Sequence, residues 1–66
     1  MDKKEYDVLK ARFLKLIASV PLPLRGEIIA VVDNHTISWN AAYGEIKQDT
    51  GKAKAVVKHL KQIKLL

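Results

Sequence analysis

Two prolines standing two residues apart, Pro21 and Pro23, constrain this chain more than any other feature. Proline disfavours helical geometry in the residue before it and offers no N–H to a helix interior, so no helix runs through this point. Ahead of the break lies an amphipathic stretch. Asp2 is placed to cap free N–H groups of an opening turn, and Glu5, three positions on, completes a capping-box pattern. Tyr6, Leu9, Phe13, Leu16, Ile17 and Val20 recur at three-and-four spacing and line one face. Lys3, Lys10 and Asp7 lie toward water, with Asp7 spaced to pair with Lys10 or Lys4. Val8 and Leu14 fall outside the stripe and offer a second contact surface, which makes residues 2–20 the candidate homodimer element.

Beyond the break, Pro23 suits the first turn of a second helix, where its missing N–H costs nothing. The β-branched content of residues 23–33 would also suit a buried strand. The spacing of Leu24, Ile28, Val31 and Val32 selects a helix, with those four inward and Ile29 beside them. Asp33-Asn34-His35 reads as a turn. Ser38 is a natural cap for a third helix, with Ile37 before it as a hydrophobic staple and Trp39, Ala42, Tyr43 and Ile46 inward. Gln48-Asp49-Thr50-Gly51 ends it, Gly51 permitting a left-handed turn residue, and Asp49 or Thr50 caps the last helix. The expectation is an all-α fold: one domain over residues 1–66, a small bundle of three to four helices, with an N-terminal helix over 1–20 and a helix-turn-helix core over 24–66. A chain of 66 residues buries only about 60% of its unfolded surface, so a large enclosed catalytic cleft is not expected.

Charge is unevenly spread. Twelve Lys and Arg against seven Asp and Glu give +5. Residues 1–33 hold six basic and five acidic side chains, whereas residues 34–66 hold six lysines against Glu45 and Asp49. From Lys52 to Leu66 there are five lysines and no carboxylate. A one-sided basic surface attracts polyanions. In the final helix Ala53, Val56, Leu60 and Ile63 fall on one side, Val57 at the boundary. Lys54, Lys58 and Lys61 cluster almost opposite, with Lys64 at their edge.

A short capped helix, a glycine-containing turn and a second amphipathic helix are the parts of a helix-turn-helix. The stretch from Ile37 to Ile46, leading through Thr50-Gly51 into residues 55–66, resembles the helix-turn-helix core of winged-helix repressors. Ile46, Gly51, Val57, Leu60 and Ile63 match that spacing. The likeness covers residues 37–66, with 24–33 as a buttressing helix and no complete wing. Tyr43-Gly44-Glu45-Ile46 followed by Gly51-Lys52 also looks like the DNA-binding helix region of alkylguanine-DNA alkyltransferases, without the cysteine their reaction needs.

The resemblance implies a small basic protein that docks its C-terminal helix on double-stranded DNA as a transcriptional or replication regulator. Lys54, Lys58 and His59 would lie nearest the duplex, with Lys52 and Lys61 on flanking phosphates. Thr50 and Gly51 would give backbone N–H contacts to a phosphate, and Asn40 and Gln48 polar contacts from the preceding helix. The alternative is a protein-interaction or adaptor module that binds no nucleic acid.

Catalysis is not expected. His35 and His59 lack a nucleophile and an orienting carboxylate at helical spacing, and the glycines are scattered at 26, 44 and 51, forming no phosphate loop. Two separated histidines and no cysteine give no metal-site spacing, and neither a cofactor nor a small-molecule substrate is evident. Trp39 and Tyr43 read as core rather than as a base-stacking platform. The charged N-terminus lacks a signal peptide's apolar stretch, and no run approaches the roughly 20 apolar residues that span a bilayer, so no membrane role and a cytoplasmic location are expected.

Overall fold

A computed structural model describes all 66 residues, Met1–Leu66. In chain order it comprises α1 (Lys3–Ala18), a 3-10 turn (Leu22–Leu24), β1 (Ile28–Val32), β2 (His35–Ser38), α2 (Trp39–Lys47) and α3 (Ala53–Gln62). The strands form a two-stranded antiparallel hairpin, so this is a small α+β domain and the all-α expectation is wrong. The error falls on residues 23–33. Ile28, Ile29, Val31 and Val32 are β-branched side chains that pack well on a pleated surface. Asp33 and Asn34, at φ 50° and 65°, turn the chain as a two-residue loop with both residues left-handed, the geometry that matches strand twist.

The pairing Val32 to His35, Val31 to Thr36 and Ala30 to Ile37 fixes which side chains face in, and a bulge sits between Ile28 and Ala30. Ala30 is buried, and Ile29, Val32 and Ile37 pack against the core. Leu24, Ile28 and Val31, expected inward on the helical reading, are instead 45%, 55% and 53% exposed.

The helices follow the sequence more closely. The Asp2 carboxylate accepts the Glu5 N–H at 2.7 Å and caps α1. At the other end Arg25 donates to the carbonyls of Val20 (3.0 Å) and Ile17 (3.1 Å), tying the 3-10 turn back to the C-terminal end of α1. Ser38 Oγ accepts the Ala41 N–H at 3.1 Å and caps α2.

Eleven residues form the core: Tyr6, Leu9, Phe13 and Ile17 of α1, Ala30 of β1, Ala42 and Ile46 of α2, and Ala53, Val56, Val57 and Leu60 of α3. Phe13 stacks on Trp39 with ring centroids 6.0 Å apart. Val57 is fully buried rather than at the boundary of its helix, and Ile63, expected inward, is 45% exposed. Leu14, expected off the stripe, packs against the core, while Val8 stays exposed.

α2 and α3 end alike. Thr50 N–H returns to Glu45 O (3.1 Å) and Asp49 N–H to Ile46 O (3.2 Å), with Asp49 left-handed at φ 50°. Leu65 N–H returns to Leu60 O (3.0 Å) and Lys64 N–H to Lys61 O (3.0 Å), with Lys64 at φ 64°. Both are paired six-to-one and five-to-two closures, with a non-glycine residue where glycine is usual. Gly51, the expected left-handed residue, has no positive φ.

The hairpin assignment predicts an outcome at its turn. Asn34→Val forces a β-branched side chain into a left-handed backbone and lowers unfolding free energy by about 1–3 kcal/mol, whereas Asn34→Gly does not lower it. Urea denaturation followed by circular dichroism checks both.

Candidate nucleic-acid interface

The Asp49 carboxylate is the hub that sets α3 against the rest of the molecule. Its Oδ1 accepts the Tyr6 hydroxyl at 2.7 Å, and Lys10 Nζ reaches Oδ1 and Oδ2 at 2.9 and 2.8 Å. Lys10 thus pairs across the fold rather than with Asp7. The hydrogen bonds from Lys10 and Tyr6 hold Asp49's carboxyl below its ordinary value. Burial first, then the hydrogen bond to Asp49, pushes the Tyr6 phenol up to about 12. Two side chains of α1 therefore hold the α2–α3 turn, and with it the first turn of α3.

That turn has its own ties. Thr50 Oγ1 donates to the Glu45 carboxylate and accepts the Lys52 N–H at 3.3 Å, and Thr50 O accepts the Ala53 N–H at 3.1 Å. Neither residue expected to cap the last helix does so: the capping position is Lys52, with no side-chain cap, and Thr50 ties only the turn before it. Asp49's side chain is engaged with α1 instead.

On α3 the burial is one-sided. Ala53, Val56, Val57 and Leu60 are at most 1% exposed, while Lys54, Ala55, Lys58, Lys61 and Gln62 face water. Lys54, Lys58 and Gln62, spaced four apart, share the outermost strip. Gln62 was missed by the sequence reading, although continuing the same spacing from Lys58 would have found it. Lys52, Lys54 and Lys58 form no ion pair, whereas Lys61 lies 2.7 Å from Glu5 of α1. Lys61 is therefore not the bare flanking lysine expected from sequence. His59 is half-buried at the edge of the strip rather than on it.

The remaining candidates are spread out. Thr50, Gly51 and Lys54 line an open cleft of about 500 Å³ with Lys3, Tyr6 and Asp7 of α1. Gln48 is exposed at the end of α2, and Asn40 is exposed in its first turn, where its N–H donates to Arg25 O at 3.0 Å. Eight residues of helix separate the two by about 12 Å, so they do not form one patch.

The hairpin, unforeseen as a hairpin, lies beside the strip. A cleft of about 110 Å³ is lined by Asp33 and His35 of the hairpin, Glu45 of α2, Lys52 just before α3 and Ala55 within it. No group of three His, Cys, Asp or Glu side chains is arranged to hold a metal ion, and no helix is long and apolar enough to cross a membrane. The chain matches no family model, no curated protein sequence and no solved structure.

The Asp49 hub carries a pH signature. A lowered carboxyl contributes stability that is full above the unfolded Asp value, about 4, and is lost as pH falls through the lower folded value. Tyr6→Phe lowers unfolding free energy at pH 7, because it removes a hydrogen bond to a charged acceptor. Its deficit shrinks as pH falls through the lowered Asp49 value and the carboxylate takes up a proton. Urea titrations of both proteins at pH 7 and pH 3 measure this.

Proposed function

We propose that this protein binds double-stranded DNA through the outer strip of α3 and acts as a small regulator of transcription or replication. The observation that carries the reading is the division of α3: Ala53, Val56, Val57 and Leu60 bury one face, and Lys54 and Lys58 stand unpaired on the other. Ammonium groups so placed follow a phosphate backbone and release condensed counterions on contact. Lys52, just before the helix, stands at the hairpin cleft rather than in line with Lys54 and serves a flanking phosphate, with the Gly51 N–H beside it, whereas the Thr50 N–H is already held by Glu45 O. Gln62 continues the strip toward the C-terminal end, and His59, Asn40 and Gln48 stand at its margins.

Fluorescence anisotropy with a labelled duplex, read at several salt concentrations, tests this. Three lysine contacts give a log–log salt slope of about −2.7, and Lys54→Ala with Lys58→Ala reduces its magnitude by about 1.8. Absence of binding at low salt, or an unchanged slope in the double variant, rejects the reading.

A second reading, a protein-interaction module, is favoured by a different surface. Leu22 is 74% exposed, and Leu24, Ile28 and Val31 follow within ten residues, all about half exposed. This stretch offers more apolar surface to a partner than α1, where Val8 is the exposed large apolar residue between positions 2 and 20. A homodimer through residues 2–20 would rest on Val8, and one through the hairpin on Ile28 and Val31. Sedimentation velocity over a hundredfold concentration range separates these surfaces. If the hairpin carries association, Ile28→Ser with Val31→Ser abolishes it and Val8→Ser leaves it intact.

A further inference from the structure

We propose that Glu5 acts as an internal stand-in for a phosphate, holding Lys61 out of the DNA-binding strip so that binding must compete with α1. The inference rests on the DNA-binding reading above and adds a competitor to it. Lys61 Nζ lies 2.7 Å from Glu5 Oε1. The lysine side chain is 50% exposed and the glutamate 42%, so the pair sits at the surface, within reach of an incoming polyanion.

Glu5 is fixed in place. Its own N–H is held by the Asp2 carboxylate at 2.7 Å, which anchors the first turn of α1 beside the C-terminal half of α3. Glu5 also borders Lys58: Met1, Glu5, Lys58, Lys61 and Gln62 line one cleft. A carboxylate in that position offers Lys61 the same anionic oxygen that a DNA phosphate would.

A phosphate that takes Lys61 still releases its own condensed counterion, but the exchange costs the Glu5 pairing and leaves that carboxylate unpaired beside a second anion. An exposed pair of this kind is weak and opens readily, which makes it a graded competitor rather than a lock. The interface of the unmodified chain therefore comprises Lys52, Lys54 and Lys58. Lys61 contributes little while Glu5 keeps its charge and joins fully once that charge is removed.

A simple lysine ridge and a guarded one predict opposite results for the same variants. The test is the salt dependence of duplex binding by the full chain, as Glu5→Gln, Lys61→Ala and the two combined, each checked by circular dichroism and urea midpoint. The competitor predicts that Glu5→Gln steepens the slope by about 0.9 and tightens binding at low salt, that the combined variant returns to the original slope, and that Lys61→Ala alone leaves the slope unchanged.

A slope unaltered by Glu5→Gln overturns the proposal. So does a gain that survives in the combined variant, or a loss of about 0.9 from Lys61→Ala alone. If the original chain binds nothing and Glu5→Gln binds, a weak exposed pair does not account for the difference and the proposal is overturned. If neither binds, the DNA reading and the competitor fall together.

Discussion

The apolar stripe of α1 is the surface on which α2 and α3 come together. Tyr6, Leu9, Phe13 and Ile17 supply four of the eleven core residues and pack against those two helices. Each large apolar side chain removed from water is worth about 1.5–3 kcal/mol, so these four positions outweigh any single polar tie in the chain. The hairpin rests on those two helices in turn. A two-stranded hairpin is marginal alone, and this one buries only Ala30 outright, so its position is set by α3 beneath β1 and α2 beneath β2 rather than by its own strands.

Polar chemistry then converts this packing into a fixed orientation. Tyr6 belongs to the core through its ring and to the α2–α3 turn through its hydroxyl. Asp49, its partner, holds a left-handed backbone that a non-glycine residue adopts at a cost, and that backbone lets α2 close on its own carbonyls. The conformation that ends α2 is thus the one that brings a carboxylate to α1.

How far the fold was legible in the sequence depends on the range of the forces involved. The caps at Asp2 and Ser38 act over three residues and were readable as written. The buried stripes of α1 and α3 were readable because helical periodicity repeats several times in each. Residues 23–33 were not, because Leu24, Ile28, Val31 and Val32 happen to fit a three-and-four spacing. The residue that the strand buries, Ala30, is the smallest apolar side chain there. The Asp33-Asn34 pair between two β-branched runs was the available signal for a two-residue hairpin turn. Of the candidate site, Lys54 and Lys58 followed from a single helix and could be found. The Asp49 hub joins residues 39 and 43 positions apart, and the Glu5–Lys61 pair spans 56, so neither is visible before the chain is folded.

The net charge of +5 also looks different once it is placed. Lys10 and Lys61 are paired with carboxylates, Asp7 shares a cleft with Lys54, and Asp33 and Glu45 share another with Lys52. Groups lining one cleft interact within the Debye length of about 8 Å at physiological salt, so acid on both flanks narrows the positive field to a strip along α3. That strip contains lysine and no arginine, and an ammonium is a point charge without the planar fork that reads a guanine edge. In the proposed reading, the helix thus holds the backbone of a duplex more readily than it discriminates among sequences. Selectivity would have to arise outside the lysines, and Gln62 is the one uncharged hydrogen-bonding side chain on the same strip.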